Sequence, residues 1–305
     1  MGDQSEFTDK HSNKTMSGLP TMDDGTKKEM PVVGGTLQME AYDEHEKQHR
    51  VAPSNWIDSH HSMEETIIIV LSTRYHFETR AVIRDTWANQ KTNVYFVIGD
   101  ECPYPPDQRL NTYSCELQPN QVHEFNVTYT KQLKLESRMI SEEQQTFRDL
   151  IWTPKPDSYR ELPNKVKEAY SWIISNMPTA KWIVKTDEDM YVRVDRMGEY
   201  LQTKDAAKYM VVGKILTKSK PRKFGKWKES NFFNTYYPSF PQGSNGHAVS
   251  RPVAEYIAIN KETLVDYQGE DVSIGIWLDE SPYKAKLQWV ESSQFAILKS
   301  PSGKV

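Results

Sequence analysis

The chain has 305 residues, a formal charge of −4 at pH 7, and 37% hydrophobic, 26% charged and 11% aromatic residues. This length suits one large domain or two small ones, and the composition is too apolar for wholesale disorder. The two cysteines exclude a disulfide-dense scaffold, the charge balance does not indicate a nucleic-acid partner, and the lack of a long apolar run predicts no transmembrane helix or signal peptide.

Residues 1–62 are polar and show no sustained apolar period, which predicts a disordered tail or stem before a compact domain at 63–305. The domain begins with an unbroken β-branched run at 66–72, typical of a strand buried on both faces. The next predicted elements are a helix at 78–88, a strand at 94–98, a loop at 102–119, a helix at 131–145, a strand at 149–152, a helix at 162–177, a strand at 182–186, a helix at 194–201, a strand at 209–216 and a short helix within 269–278. Strands that alternate with helices predict a three-layer α/β fold around a mostly parallel sheet.

The predicted strand at 182–186 runs directly into Asp187, Glu188 and Asp189. In an extended chain, residues i and i+2 point the same way, so Asp187 and Asp189 are expected to converge beyond the strand end. Ligands of open α/β sheets bind at that edge. Paired carboxylates there suit Mg²⁺ or Mn²⁺ bridging a diphosphate, and the alternative is a solvated acidic turn.

Glu270 and Asp271 begin the predicted short helix. Acidic residues are favoured at a helix N-terminus for electrostatic reasons alone. The functional alternative is a general base, because a carboxylate kept ionised there can accept a proton from a sugar hydroxyl.

Two further segments are candidates for ligand binding. Arg80 and Arg84 share a face of the predicted helix after the first strand, which suits phosphate binding or a solvated cationic face. The segment 236–250 combines aromatic residues with spaced glycines, which indicates a loop whose backbone passes close to a ligand. His247 in this loop is interpreted as a hydrogen-bonded loop residue and not as a ligand.

Six segments carry a wider resemblance, and they are 80–87, 96–99, 157–165, 185–189, 237–246 and 269–275. In this order they resemble the motifs of the inverting β-1,3-glycosyltransferases, which include the β3-galactosyltransferases and Fringe. The segments 225–229 and 267–277 are similar to the UDP-GalNAc-dependent β-1,3-N-acetylgalactosaminyltransferase branch that acts on O-mannosyl glycans. This sequence departs from the family at His247, where Tyr is usual, and in the late strand at 294–299, which lacks a His.

The resemblance implies a GT-A nucleotide-sugar transferase fold and transfer of GalNAc or Gal from a UDP-sugar to an acceptor sugar hydroxyl. It implies Mn²⁺ held by Asp189 with help from Asp187, and Asp271 as the base supported by Glu270. The residues expected on the UDP side are Ser72, Thr73, Arg80, Arg84, Asp157, Lys165 and Asp187. Those expected on the acceptor side are Trp227, Tyr237, Phe240 and Gly243.

The resemblance also implies glycan or glycoprotein acceptors and a location in the Golgi or ER lumen. Members of the family are held there by a membrane anchor that this sequence does not show. An oxidising lumen permits Cys102 and Cys115 to pair across their short loop. Two rival functions stay open, namely a transferase fold that binds without turnover and a metal-dependent phosphohydrolase. The absence of a DxDxT nucleophile motif argues against the hydrolase.

Overall fold

A computed structural model of the chain describes residues 65–88, 93–120 and 125–295. The predicted tail at 1–62 and most of the predicted late strand at 294–299 lie outside the described residues. Within the described part, no helix has both the length and the apolar character needed to cross a membrane.

Nine strands are present among the described residues. They are β1 (Thr66–Leu71), β2 (Val94–Asp100), β3 (Leu150–Pro156), β4 (Trp182–Asp187), β5 (Met210–Gly213), β6 (Ile215–Leu216), β7 (Phe240–Pro241), β8 (His247–Ser250) and β9 (Gln288–Glu291). Seven of them form one sheet in the order β3-β2-β1-β4-β8-β5-β9, in which β8 runs antiparallel to both neighbours and the other pairs are parallel. The remaining two, β6 and β7, pair with each other. The mostly parallel sheet is therefore confirmed.

Helices cover both faces of this sheet. They are α1 (Phe77–Asp85), α2 (Val127–Phe147), α3 (Leu162–Asn176), α4 (Val194–Gln202), α5 (Arg251–Ile259) and α6 (Glu270–Asp279). Because side chains alternate along a strand, Ile67 and Ile69 of β1 pack with α3, α5 and α6, whereas Ile68 and Val70 pack with α1, α2 and α4. The predicted three layers are confirmed, and the core is divided between the two faces of the sheet.

Several element boundaries differ from the sequence prediction. The predicted strand at 209–216 is two strands, β5 and β6. Lys214 between them forms an ion pair with Glu291, and β6 joins a separate sheet. The helix predicted at 131–145 starts earlier, since the Asn126 side chain accepts a hydrogen bond from the Tyr129 amide and caps it. The helix predicted at 78–88 ends at Asp85, and neither α5 nor β9 was predicted.

The loop between β2 and α2 is closed by a disulfide. Cys102 and Cys115 form this bond, with their Cα atoms 5.6 Å apart, a separation typical of disulfides. The structure thus shows the pairing that the sequence permitted but left open.

Candidate active site

The carboxyl end of β4 carries the acidic segment. Asp187 is the last residue of the strand, and Glu188 and Asp189 lie in a turn closed by a hydrogen bond from the Met190 amide to the Asp187 carbonyl. The expectation that the chain stays extended through Asp189 is wrong, because this turn interrupts the alternation of side chains. The carboxylates are nevertheless close enough to interact, since burial, Glu270 and Asp189 together raise the pKa of Asp187 against the opposing effect of Lys185.

A fully buried ammonium group joins this strand end to α6. Lys185 Nζ lies 2.7 Å from Asp187 Oδ1, 2.7 Å from Glu270 Oε1 and 3.3 Å from the Gly243 carbonyl oxygen. Burial acts to lower the pKa of Lys185, but attraction to Glu270 and Asp187 outweighs it and raises the pKa. The lysine therefore stays charged, and it fixes the N-terminus of α6 beside the acidic end of β4.

Asp271 lies in the first turn of α6, where two backbone amides bind it. Its Oδ2 accepts from the Gly243 amide at 3.1 Å, and its Oδ1 accepts from the Val272 amide at 2.7 Å. Burial first, and then the charge of Glu270, raise the pKa of Asp271 to about 6. A carboxylate with this pKa is ionised at neutral pH and more basic than an ordinary aspartate, which suits a general base.

Gly243 makes this arrangement possible. A Cβ atom on this residue would lie 2.8 Å from Glu270 Oε1 and 3.2 Å from Asp271 Oδ2. Only glycine lets the loop before β8 come close enough to donate its amide to Asp271 and its carbonyl to Lys185. The loop at 236–250 was predicted to pass close to a ligand, and the structure shows that its backbone passes close to Glu270 and Asp271.

The loop after β1, on the predicted UDP side, is held by carboxylates. Glu188 accepts hydrogen bonds from Ser72 Oγ at 2.7 Å and His76 Nδ1 at 2.5 Å. Sequence reasoning missed this role, and the only signal for it is the position of Glu188 between the two aspartates. The Thr73 hydroxyl in the same loop is buried and makes no hydrogen bond within the described part of the chain, so it is available to a ligand.

Asp157 and Lys165 fasten the same loop to the sheet. Asp157 accepts from the amides of Arg74 at 2.9 Å and Gly99 at 3.0 Å, and from Lys165 Nζ at 2.6 Å. Lys165 also donates to the Ser72 carbonyl at 2.7 Å. These two residues therefore position the ends of β1 and β2, and a direct contact of either with nucleotide stays a prediction.

Arg80 and Arg84 are engaged by carboxylates. Arg80 is fully buried and binds Glu143 through two hydrogen bonds of 2.8 and 2.7 Å. Arg84 binds Asp149 through two hydrogen bonds of 2.8 Å. The alternative of a solvated cationic face is wrong. Arg80 also contacts Ser72 Oγ at 3.2 Å, so the structure shows a support for the loop after β1, and the predicted contacts of both arginines with UDP stay predictions.

The predicted acceptor residues are divided between a core and a surface. Tyr237 and Phe240 are buried in a small apolar cluster under α6. Trp227 is half exposed and donates a hydrogen bond of 2.9 Å to the Tyr159 hydroxyl. Burial and the charges of Glu270, Asp271 and Asp187 raise the pKa of Tyr159 to about 12, which places this ring near the acidic site. Tyr159 is a residue that sequence reasoning did not single out.

The interpretation of His247 as a hydrogen-bonded loop residue is wrong. It is the first residue of β8 and fully buried, and neither ring nitrogen has a hydrogen-bond partner among the described residues. Burial and then the nearby charge of Lys185 lower its pKa to about 3. The imidazole is therefore neutral and is covered by the same elements that bury Lys185.

The described residues include no group of three or more His, Cys, Asp or Glu side chains that could hold a metal ion. The candidate donors are Asp187 and Asp189, of which Asp189 is exposed and makes no hydrogen bond or ion pair within the described part. Two carboxylates still fit Mg²⁺ or Mn²⁺, because such ions commonly take one or two protein carboxylates and fill their shell with water and substrate phosphates.

Comparisons with known proteins agree with this geometry. Residues 128–286, more than half of the chain, match the family model described as galactosyltransferase. A UDP-GalNAc:β-1,3-N-acetylgalactosaminyltransferase 2 of Xenopus laevis is 31% identical over 147 residues, which are 48% of this chain and 30% of the relative. A β-1,3-galactosyltransferase 5 of Pan paniscus is 24% identical over 70% of this chain and 64% of its own length. The match thus spans about a third of the first relative.

Proposed function

The chain belongs to the galactosyltransferase family, and we propose on this basis that it is a metal-dependent, inverting β-1,3-glycosyltransferase. In this proposal it moves GalNAc or Gal from a UDP-sugar to a hydroxyl of an acceptor sugar in protein glycosylation. The names of its relatives include both a GalNAc transferase and galactosyltransferases, and they support this pair of donors equally.

One observation carries the proposal. The candidate base Asp271 follows Glu270 at the start of α6, and Lys185 pairs Glu270 with the candidate metal ligand Asp187 at the end of β4. A transferase needs a basic group for the acceptor and a cationic site for the leaving diphosphate within one cleft. The carboxyl edge of a mostly parallel sheet is where such a cleft forms.

The residues of the chain supply each step of an inverting transfer. Asp271 accepts the proton of the acceptor hydroxyl, whose oxygen attacks the anomeric carbon of the donor from the face opposite UDP. The bond between that carbon and the UDP oxygen breaks, its electron pair leaves with UDP, and the configuration inverts. Bound Mn²⁺ would neutralise charge on the departing diphosphate, and Asp189 and Asp187 are the residues that would hold it. Glu270 and Lys185 hold Asp271 in place through the N-terminus of α6.

The compartment follows from the same proposal. Transfer to proteins in the Golgi or ER lumen is supported by the disulfide of Cys102 and Cys115, because such bonds persist in oxidising compartments. The exposed sequon at Asn126 is a second feature that suits a lumenal protein.

A UDP-release assay tests this function. Purified protein is incubated with UDP-GalNAc or UDP-Gal and Mn²⁺, with and without a panel of β-linked sugar acceptors, and UDP and phosphate are measured separately. We expect UDP release that requires an acceptor. Phosphate release without an acceptor would identify a hydrolase, and UDP binding without any turnover would identify a binding protein, so either result overturns the proposal.

A further inference from the structure

A cationic segment lies beside the candidate active site. Residues 214–228, named here the cationic loop, contain seven Lys and Arg and no Asp or Glu, in a chain whose net charge is −4. Lys214 is paired with Glu291 at 2.8 Å. The other six form no ion pair with any residue that the structure describes, and they are Lys218, Lys220, Arg222, Lys223, Lys226 and Lys228. Such a concentration of unpaired charge costs energy through mutual repulsion, and a partner of opposite charge would relieve it.

Aromatic rings hold part of this loop in place. Lys226 Nζ lies 3.9 Å from the ring centroid of Tyr159, and the Arg222 guanidinium lies 4.8 Å from that of Trp227. Both distances are within the range of cation–π attraction. The hydrogen bond from Trp227 to the Tyr159 hydroxyl ties these two pairs together. Lys226 and Arg222 are therefore held in a fixed position.

The cationic loop adjoins the start of α6, which carries Glu270 and Asp271. Gln268, two residues before Glu270, donates from its side chain to the Lys226 carbonyl at 2.7 Å. Its backbone amide donates to Glu229, the residue that follows the loop, at 3.0 Å. Tyr159, whose ring receives Lys226, also lies within the electrostatic reach of Asp271. A molecule bound along the cationic loop would thus reach the residue that is expected to deprotonate the acceptor.

We propose that the cationic loop binds an acidic stretch of the polypeptide that carries the acceptor sugar, an inference that rests on the proposed transferase function. Six cations within eleven residues are more than a single carboxylate or phosphate on one sugar can pair with. Asp and Glu side chains on one side of an extended acidic polypeptide recur about every 6.6 Å, which is two residues, and can meet several of these cations. Exposed rings such as Phe224, which is 84% exposed, offer apolar contacts between the charges.

Direct binding measurements test this proposal independently of turnover. The probes are two fluorescein-labelled peptides with β-linked N-acetylglucosamine on one threonine, flanked by Glu in one and by Gln in the other. Affinity is measured by anisotropy with UDP and Mn²⁺ at low ionic strength, where surface charges are least screened. The matched triple variants are K218Q/K220Q/K223Q in the loop and K131Q/K134Q/K286Q at exposed cations elsewhere.

We expect the wild-type protein to bind the Glu peptide more tightly than the Gln peptide. The loop variant should lose about tenfold in affinity for the Glu peptide, or 1.4 kcal/mol, which is reasonable for several exposed ion pairs. The control variant should keep its affinity, and the UDP affinity of both variants should equal that of the wild type. Thermal unfolding confirms that each variant is folded.

Several results would overturn this proposal. Equal binding of the two peptides, or an equal loss in the control variant, would show that the loop does not select acidic chains. A loss of UDP affinity in the loop variant would assign the cations to the diphosphate. Loop-dependent binding to phosphatidylserine vesicles without a peptide preference would assign them to a membrane. If the Glu peptide binds through the loop but no sugar is transferred, the docking surface stands and the transferase function fails.

Discussion

Replacement of Asp271 by Asn removes the charge of the candidate base and keeps its shape. A positioned general base contributes about 10²–10⁴-fold in rate, or about 3–5 kcal/mol of barrier, so kcat should fall by that factor. The affinity for UDP in Mn²⁺ should not change, because Asp271 contacts the amides of Gly243 and Val272 and not the candidate metal ligands. The kcat is obtained from UDP release at saturating donor and acceptor, and the affinity from calorimetry.

The same variant should change the pH dependence of stability. Because the folded state raises the pKa of Asp271 from 3.8 to about 6, it binds the proton more tightly than the unfolded chain does. Stability from this group therefore falls as pH rises through that interval, by about 3 kcal/mol. The Asn side chain has one acceptor oxygen for two amide donors and loses about 1 kcal/mol. The variant should thus be about 2 kcal/mol more stable than the wild type at pH 7.5, with no such gain at pH 4.5.

Three results would refute this reasoning. An unchanged kcat would leave Asp271 as a helix-terminal residue without a catalytic role. A loss of UDP affinity together with rate would make it a metal ligand. A stability gain that persists at pH 4.5 would show that burial and the charge of Glu270 do not raise the pKa of Asp271. Asp279→Asn, at the half-buried opposite end of α6, is the matched control and should leave kcat unchanged.

Three further substitutions test the rest of the site, and one modification tests the compartment. Glu270→Gln should cost about 3 kcal/mol in denaturant unfolding, because it breaks a buried pair with Lys185, and it should move the acid limb of the pH–rate profile below its wild-type position. Asp189→Asn should abolish turnover at saturating Mn²⁺ and leave the melting temperature unchanged, since the side chain is exposed; normal turnover would contradict its role. Gly243→Ala should lower kcat about 10²-fold, because the added Cβ would displace the carboxylates of Glu270 and Asp271. Wild-type kinetics in this variant would show that the loop can move away from them. Asn126 should carry a glycan in secreted protein, detectable as a mass shift removed by an N-glycosidase, since its Nδ2 is not needed for the helix cap; an unmodified Asn126 would count against lumenal residence.

Local patterns were sufficient for most of the fold. The apolar runs that predicted β1, β2 and β4 are buried on both faces in the structure, because helices cover both sides of a parallel sheet. Boundaries were less predictable where a single side chain decides them, as Asn126 does for α2. The strand β9 has a half-exposed, short sequence with no clear period, and it is defined mainly by its pairing with β5.

The candidate site was predictable only where its residues are close in sequence. Asp187 and Asp189 could be found from one strand end, and Glu270 and Asp271 from one helix start. The partners that arrange these groups are distant along the chain. Glu188 and Ser72 are 116 residues apart, and no local period links them. From the sequence alone, Arg80, Arg84 and Lys165 were therefore predicted to contact a ligand. In the structure each of them is paired with a carboxylate of the chain itself.

The two partners of Lys185 differ in how far they could be predicted from the sequence. It lies within a strand that the sequence marks as buried, and a buried ammonium must have charged partners to remain protonated. The alternation of side chains along β4 places Lys185 on the same face as Asp187, so one partner could be inferred from the sequence alone. The second partner, Glu270, lies 85 residues later and required the packing of α6 against this face. Because one cation pairs with both carboxylates, the acidic end of β4 and the first turn of α6 are held in place by the same buried group.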